Sequence, residues 1–328
     1  MIRRLQTYIG QDTDPHRNLA LEEYLTATVP ADTCILYLWQ NRHTVVIGRN
    51  QNAWQECRTT LLEQDGGVLA RRLSGGGAVY HDLGNLNFTF CLRTEDYDLQ
   101  KQQRVIMEAC RRLGIRTELS GRNDILTEGR KFSGNSFYSH NGRSFHNGTL
   151  LLNVDMERLG KYLNPSQVKL ESKGVASVRS RVVNLCELKP GLTVELMQQA
   201  MTEAFSRVYG LEAEVLKAES FSQPALEQGY ARFHSYEWVY GKTVPFSFQC
   251  AGRFDWGEIN IRLDVNDGLC TEAAVYTDAL DESFAQPLIR SLQNCRFSVP
   301  ALCCAVRETP ACDAVAEDIC ALLKKQDI

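Results

Sequence analysis

Asp124 and Lys131 stand seven positions apart on either side of a turn signal, Glu128-Gly129, and should face each other across a hairpin. A carboxylate beside a lysine suits the activation of a carboxylic acid by ATP. The ammonium can contact a carbonyl oxygen and an α-phosphate oxygen together, stabilising the charge that builds up in the displacement. The carboxylate can hold Mg2+, which favours carboxylates combined with phosphate oxygens. The same two residues would also make an ordinary exposed ion pair, the commoner state for an isolated aspartate and lysine.

The densest signal is Arg71-Arg72-Leu73-Ser74-Gly75-Gly76-Gly77-Ala78-Val79-Tyr80-His81-Asp82. Three successive glycines let a backbone approach a ligand closely. Their N–H groups can form a concave anion site, to which the preceding arginines add positive charge. The run is neither GxxxxGK[ST] nor GxGxxG, so neither of those phosphate loops applies. A flexible hairpin with solvated arginines would read the same way. In Phe145-His146-Asn147-Gly148-Thr149-Leu150, His146 is either an acid–base group or a hydrogen-bonded structural histidine, and the absence of a neighbouring nucleophile favours structure or ligand shaping. The stretch Leu170 to Leu185 is basic, carries Ser and Gly, and lacks a helix or strand period. It reads either as a solvated loop or as a segment that closes over an anionic ligand.

Stepping outward, the elements that must position these groups alternate between strand and helix patterns. A helix is expected around Asn18 to Leu25, and strands at Cys34–Trp39, Thr44–Ile47, Val68–Arg72, Val79–Tyr80 and Asn87–Leu92. Val105, Ile106, Ala109, Cys110 and Leu113 mark a helix over 101–113, and Thr193 caps a second over 193–209. Strands are also expected at Ile125-Leu126, Lys131–Ser133 and Gly148–Val154. The polar region Ser220 to Glu237, with Pro224 and Gly229, reads as a linker. Beyond it, strand patterns at Val244–Cys250, Glu258–Asp264 and Glu272–Tyr276 precede helical ones at Ser283–Gln293 and near the C-terminus. Frequent hairpin signals favour a mixed α/β sheet over regular βαβ winding.

Composition narrows the function classes. The 328 residues suit one large domain plus a smaller one, and a net charge of −4 argues against broad nucleic-acid binding. With 44% hydrophobic and 23% charged residues, the chain has ordinary globular composition. Apolar runs are strand-sized, so no membrane span is expected. The polar N-terminus lacks a signal-peptide core, which makes the cytoplasm the default compartment. The 12 cysteines, seven of them from Cys250 onward, show no CxxC and no zinc-like Cys/His spacing, and read as small buried apolar residues.

Taken in order, these motifs resemble the lipoate–protein ligase A family. The segments that carry the resemblance are Arg71 to Asp82, Gly121-Arg122-Asn123-Asp124-Ile125-Leu126, Lys131-Phe132-Ser133-Gly134-Asn135, Phe145 to Leu151 and Lys173 to Leu185. Asn18 to Glu23, Trp39-Gln40-Asn41 and Val45 to Asn52 add to it, and Trp238, Tyr240-Gly241-Lys242 and Trp256 extend it toward the C-terminus. The Asp124–Lys131 spacing is also similar to the motif of biotin protein ligases.

The resemblance implies an α/β fold: a mixed-sheet biotin/lipoate ligase catalytic domain over 1–237, with about 220–237 as linker, and a smaller accessory domain over 238–328. It implies an ATP-dependent enzyme that converts lipoate to lipoyl-AMP and transfers the lipoyl group to a lysine. The acceptors implied are apo lipoyl domains of 2-oxoacid dehydrogenase E2 or glycine cleavage H protein. Neither nucleic acid nor membrane is an expected partner, and a monomer is expected. ATP, Mg2+ and lipoate are implied as co-substrate, ion and substrate, without a permanently bound cofactor.

By motif, Lys131 should touch the mixed anhydride. Arg72, Gly75, Gly76, Gly77, Ala78, Val79, Tyr80, His146, Gly148 and Thr149 should form the ATP and lipoyl-AMP site. Asn123 and Asp124 should face the phosphates, with Asp124 toward Mg2+, and a loop with Lys173, Gly174, Val178, Arg179 and Arg181 should cover the adenylate. Leu73 departs from the family, which often has a polar residue there. The rival reading is a transferase of the same superfamily that uses a premade activated or protein-bound donor. One form of it needs a reactive cysteine, with Cys34, Cys57, Cys91, Cys110 and Cys186 available. A lipoate-sensing regulator is the non-enzyme alternative.

Overall fold

A computed structural model describes residues 1–121, 124–163, 182–241 and 247–326. An eight-stranded mixed sheet forms its centre, in the order β11-β1-β2-β6-β10-β9-β8-β7. The strands are β1 (Arg4–Ile9), β2 (Thr33–Trp39), β6 (Asn85–Arg93), β7 (Glu118–Ser120), β8 (Asp124–Thr127), β9 (Arg130–His140), β10 (Arg143–Leu151) and β11 (Ala213–Val215). β1 pairs in parallel with β2 and β11, and the other pairings are antiparallel. Two tight turns set the hairpin register. Glu128 and Gly129 have φ of 50° and 70°, and Asn141 and Gly142 have 49° and 70°. Positive φ at both central residues suits the right-handed twist of the flanking strands.

Each face of this sheet buries a different layer. On one side α4 (Leu99–Arg112) and α7 (Val194–Tyr209) pack Val105, Ile106, Met197 and Phe205 against Leu36, Phe90 and Phe132. Asp98 caps the first helix through the Lys101 amide, and Thr193 caps the second through the Leu196 amide. On the other side lie α1 (Pro15–Thr28), α8 (Gln223–His234) and a small sheet ordered β4-β3-β5, made of Val68–Arg71, Thr44–Ile47 and Val79–His81. The strands named from sequence form where they are described, although β10 begins at Arg143 and ends at Leu151 rather than running to Val154, and 244–246 of the expected Val244–Cys250 strand lie outside the described residues.

The expected linker is largely helical. α8 occupies Gln223–His234 and α9 occupies Tyr236–Val239. Pro224 sits in the first turn, where a missing N–H costs nothing. Leu226, Tyr230 and Phe233 form a short apolar stripe that joins the α1 core. A Cβ at Gly229 would lie 3.1 Å from the Ala20 Cβ, so the glycine that suggested a break instead permits close helix packing.

Near the C-terminus β12 (Phe248–Phe254), β13 (Gly257–Asn266) and β14 (Leu269–Thr277) form an antiparallel meander. Helices α10 (Ala285–Leu292), α11 (Val299–Arg307) and α12 (Asp313–Lys324) cover it around a separate core with Ile261, Leu288 and Ile319. Trp238, Val239 and Tyr240 pack instead beside the small sheet. No described helix is long and apolar enough to cross a membrane.

Gly148 marks the tightest point of the central sheet. A Cβ there would come within 2.6 Å of the Gly134 carbonyl oxygen and of Phe88 Cζ. Gly148→Ala should therefore destabilise the chain by about 1–3 kcal/mol, the usual cost of overpacking. Thermal unfolding checks this, and an unchanged Tm would contradict the packing described.

Candidate active site

The two sheets enclose a cavity of about 170 Å3. Its floor follows from strand register. Trp39, Asn87 and Thr149 are paired across β2, β6 and β10, and Gly134 on β9 donates its amide to Thr149 Oγ1 at 3.3 Å. Four adjacent strands at about 4.8 Å spacing carry this floor over about 14 Å. Val46, Gly77, Ala78 and Val79 form the opposing wall.

Lys131 reaches the cavity because of a β-bulge. Ile125 pairs with Ser133 but Leu126 pairs with Lys131, leaving Phe132 as the extra residue. An extra residue reverses the alternation of side chains. Phe132 thus enters the core under α4, while the Lys131 amine comes over Gly134. A Cβ at Gly134 would lie 2.9 Å from both Cε and Nζ of that lysine. Lys131 Nζ stands 2.7 Å from Asp124 Oδ1, and both side chains are half-buried. The expected Asp–Lys pair is therefore formed at the β8/β9 end of the cavity, with Trp39 and His81 at the β2 end.

Arg71 and Arg72 are buried rather than solvated. Arg72 lines the cavity, but its guanidinium donates to the carbonyls of Gly75, Gly77 and Val46. Burial lowers its pKa to about 10, with Glu22 opposing the shift, so the group stays charged at neutral pH. Arg71 donates to the carbonyls of Gly48, Arg49, Gln51, Trp238 and Val239. Both act as frames for the main chain. Gly76 donates its amide to Ala279 O at 2.9 Å, and a Cβ at Gly75 would meet that same oxygen at 2.1 Å, so this part of the glycine run fits against the chain after β14.

Strand alternation separates the remaining candidates. Gly76, Gly77, Ala78, Val79, Gly148 and Thr149 line the cavity. Tyr80 turns away and packs between His43 and Tyr162. His146 is fully buried and bonds Gln102 and Asn135 at 3.0 and 2.8 Å. Burial lowers its pKa to about 3, so it is a neutral structural histidine, not an acid–base group facing the cavity. Asn123 and the loop residues Lys173, Gly174, Val178, Arg179 and Arg181 lie outside the described residues.

Glu22, Trp39, His81, Asn87, Ser136 and Asn147 were not among the site residues expected from sequence. All but Glu22 line the cavity. Their signal was present: Asn85, Asn87 and Thr89 alternate with Leu86, Phe88 and Phe90. Polar side chains at every second position of a buried strand imply a polar face. Beneath the floor, Glu22 is completely buried and accepts hydrogen bonds from Thr89 Oγ1 at 2.7 Å and Asn147 Nδ2 at 2.9 Å. Burial pushes its pKa up to about 7 against the pull of those two donors and of Arg72.

Known proteins resemble this chain in sequence and in fold. Residues 14–206 match the model of the lipoyl protein ligase A/B catalytic domain, and residues 243–323 match that of the bacterial lipoate protein ligase C-terminus. The chain is 41% identical to a lipoate-protein ligase A of Blochmanniella pennsylvanica (strain BPEN), over 93% of this chain and 92% of that one. Among solved structures it resembles P. falciparum LipL1 in complex with lipoate, with a TM-score of 0.85, 25% identity, and coverage of 98% of this chain and 100% of that one. It shares its fold with the bipartite lipoate protein ligase of Thermoplasma acidophilum, studied with its E2 lipoyl domain, at a TM-score of 0.64 and 23% identity, over 76% of this chain and 100% of that one.

Glu22 gives the site a measurable pH dependence. Its folded pKa of about 7 exceeds the ordinary 4.5, so the stability it contributes is fully present below pH 4.5 and is lost as pH rises through about 7. Glu22→Gln removes the ionisation. Its stability relative to wild type should rise by about 3 kcal/mol between pH 4.5 and pH 8. A difference in thermal or urea unfolding that stays constant across this range would contradict a carboxyl buried in this way.

Proposed function

The chain belongs to the lipoate–protein ligase A family, and we propose that the cavity between its two sheets is where lipoate and ATP are joined. The protein is an ATP-dependent lipoate–protein ligase. It activates lipoate to lipoyl-AMP with release of pyrophosphate, then passes the lipoyl group to a lysine amine of an acceptor protein. Lipoyl domains are acceptors of this kind. We extend the acceptors to 2-oxoacid dehydrogenase E2 and glycine cleavage H protein, and assign a monomer working in the cytoplasm.

The observation that carries the site assignment is the aim of Lys131. A bulge turns it toward the cavity and Gly134 leaves room for its amine. There the ammonium can hold the substrate carbonyl oxygen and an α-phosphate oxygen together, where negative charge develops. Asp124 would offer a hard oxygen to Mg2+, and the ion would supply neutralisation of phosphate charge. Gly77, Ala78, Val79, Gly148 and Thr149 then wall the adenylate, and the acyl chain runs along the floor toward Trp39. Residues 1–237 form the catalytic unit in this reading and 238–328 the accessory unit, whose first residues Trp238–Tyr240 stay packed on the catalytic side.

The acyl-enzyme alternative needs an accessible thiolate. Cys34, Cys57, Cys91 and Cys110 are buried, and burial raises every one of these thiols, the first two and Cys110 to about 12. Cys186 is half-buried and also raised by burial, and no cysteine lines the cavity among the described residues. A mixed anhydride needs no thioester step, since it is already activated for attack by an amine.

Lipoate, ATP and Mg2+ should give pyrophosphate and lipoyl-AMP without any acceptor. Lys131→Met keeps much of the apolar stem and should lower the rate of that step about 100- to 1,000-fold, while lipoate binding changes little. Pyrophosphate release and mass spectrometry of the adenylate read both. Product formed only from premade lipoyl-AMP or an acyl-carrier donor would favour the transferase, and a near-normal Lys131→Met rate would remove the lysine from the chemistry.

A further inference from the structure

The far end of the cavity carries two hydrogen-bond donors that nothing in the protein satisfies. The identity of the first, on His81, follows from a chain of fixed amides. Asn18 Nδ2 donates to the main-chain carbonyls of Asp12 and Gln40, which settles the orientation of that amide. It also donates to Asn41 Oδ1 at 3.0 Å. The Asn41 nitrogen must then be the atom facing His81 Nδ1 at 3.2 Å. An accepting Nδ1 leaves the proton of the neutral ring on Nε2. Burial, together with nearby Arg72, lowers the His81 pKa to about 3, so the ring stays neutral. Asn87 Oδ1 accepts from Asn85 Nδ2 at 2.9 Å, and in this pairing Asn87 Nδ2 is left without a partner.

His81 Nε2 and Asn87 Nδ2 are both buried without a partner, and both residues line the cavity. Among the described lining residues, no other buried side-chain N or O atom lacks a partner. The neighbouring unpartnered oxygens, Glu22 Oε2 and Asn85 Oδ1, belong to residues outside the lining. The cavity end opposite Lys131 thus offers donors to whatever enters it.

We infer that His81 and Asn87 set substrate selectivity, by donating to the sulfur atoms of a 1,2-dithiolane ring and penalising a saturated alkyl tail. The inference rests on the reading of this cavity as the lipoate site. Divalent sulfur is a weak acceptor, but a weak acceptor suffices where the alternative is two buried N–H groups facing methylenes. Trp39 adds an aromatic wall, a favourable neighbour for sulfur. Its own indole N–H is already given to Thr89 Oγ1 at 3.1 Å, so it does not compete for the ring. Octanoate, the saturated acid of the same main-chain length, reaches the same place and satisfies neither donor.

The test compares lipoate with octanoate in pyrophosphate release by the full chain. Wild type should favour lipoate by about tenfold or more in kcat/KM, the discrimination expected from leaving a buried donor unpaired. Asn87→Leu replaces one donor with apolar surface. It should raise kcat/KM for octanoate and reduce the preference about tenfold. His81→Phe should shift the ratio in the same direction even where untying Asn41 lowers both rates. A gain on octanoate cannot come from misfolding, which lowers both acids alike. A wild-type ratio near one, or an equal loss on both acids in Asn87→Leu, would overturn the inference and leave activation at Lys131 intact. Release of pyrophosphate from neither acid would instead overturn the activation reading on which it stands.

Discussion

The site depends on a buried carboxyl group. Glu22 projects from α1 and receives Thr89 from β6 and Asn147 from β10. Thr89 in turn accepts the indole N–H of Trp39, and Asn147 accepts Ser136, whose hydroxyl meets Ser74 beside the glycine run at 2.8 Å. One connected network therefore ties a helix, the large sheet and the loop bearing Gly75, Gly76 and Gly77. Polar networks inside a protein rigidify when their members are satisfied and cost heavily when they are not. This one holds the cavity open between two otherwise apolar layers.

Around that network the chemistry divides between two ends of one floor. Lys131 and Asp124 stand where β8 and β9 meet, and Trp39, His81 and Asn87 stand toward β2 and β6. The ends are linked by strand pairing rather than by loops, so their separation is fixed by the sheet itself. A rigid separation suits a substrate whose reactive carboxylate and distinguishing ring lie at opposite ends of a chain, because positioning on rigid elements lowers the entropy cost of reaching the reactive geometry. The arginines expected to add positive charge beside the glycine run also serve this rigidity. Arg71 and Arg72 spend their donors on main-chain carbonyls and give the glycine run a definite shape.

Much of this was legible in the residues. Period-2 and period-3.6 patterns located the strands and the two long helices, and Glu128-Gly129 announced the hairpin that brings Asp124 to Lys131. What stayed hidden depended on tertiary context. The bulge at Phe132 has no local signature, since only pairing with β8 shows which residue is extra. Gly229 looked like a breaker because the surface that needs it, Ala20 on α1, is some 200 residues away in sequence, while Pro224 starts a helix rather than breaking one. Tyr80 and His146 sit inside the right motifs but on the wrong faces of their strands, a distinction that hangs on register. Glu22 was quoted as part of a motif, yet its burial appears only when the layers close over it.

The central claim is that one cavity holds the whole lipoyl-adenylate, reactive end at Lys131 and ring end at Trp39. A crystal structure with a non-hydrolysable lipoyl-adenylate analogue tests it most directly. The account predicts Lys131 Nζ within hydrogen-bond reach of the group replacing the mixed anhydride. It also predicts the dithiolane against Trp39, within reach of His81 Nε2 and Asn87 Nδ2. An analogue bound with its ring at the Lys131 end, or outside the space between the two sheets, would contradict it.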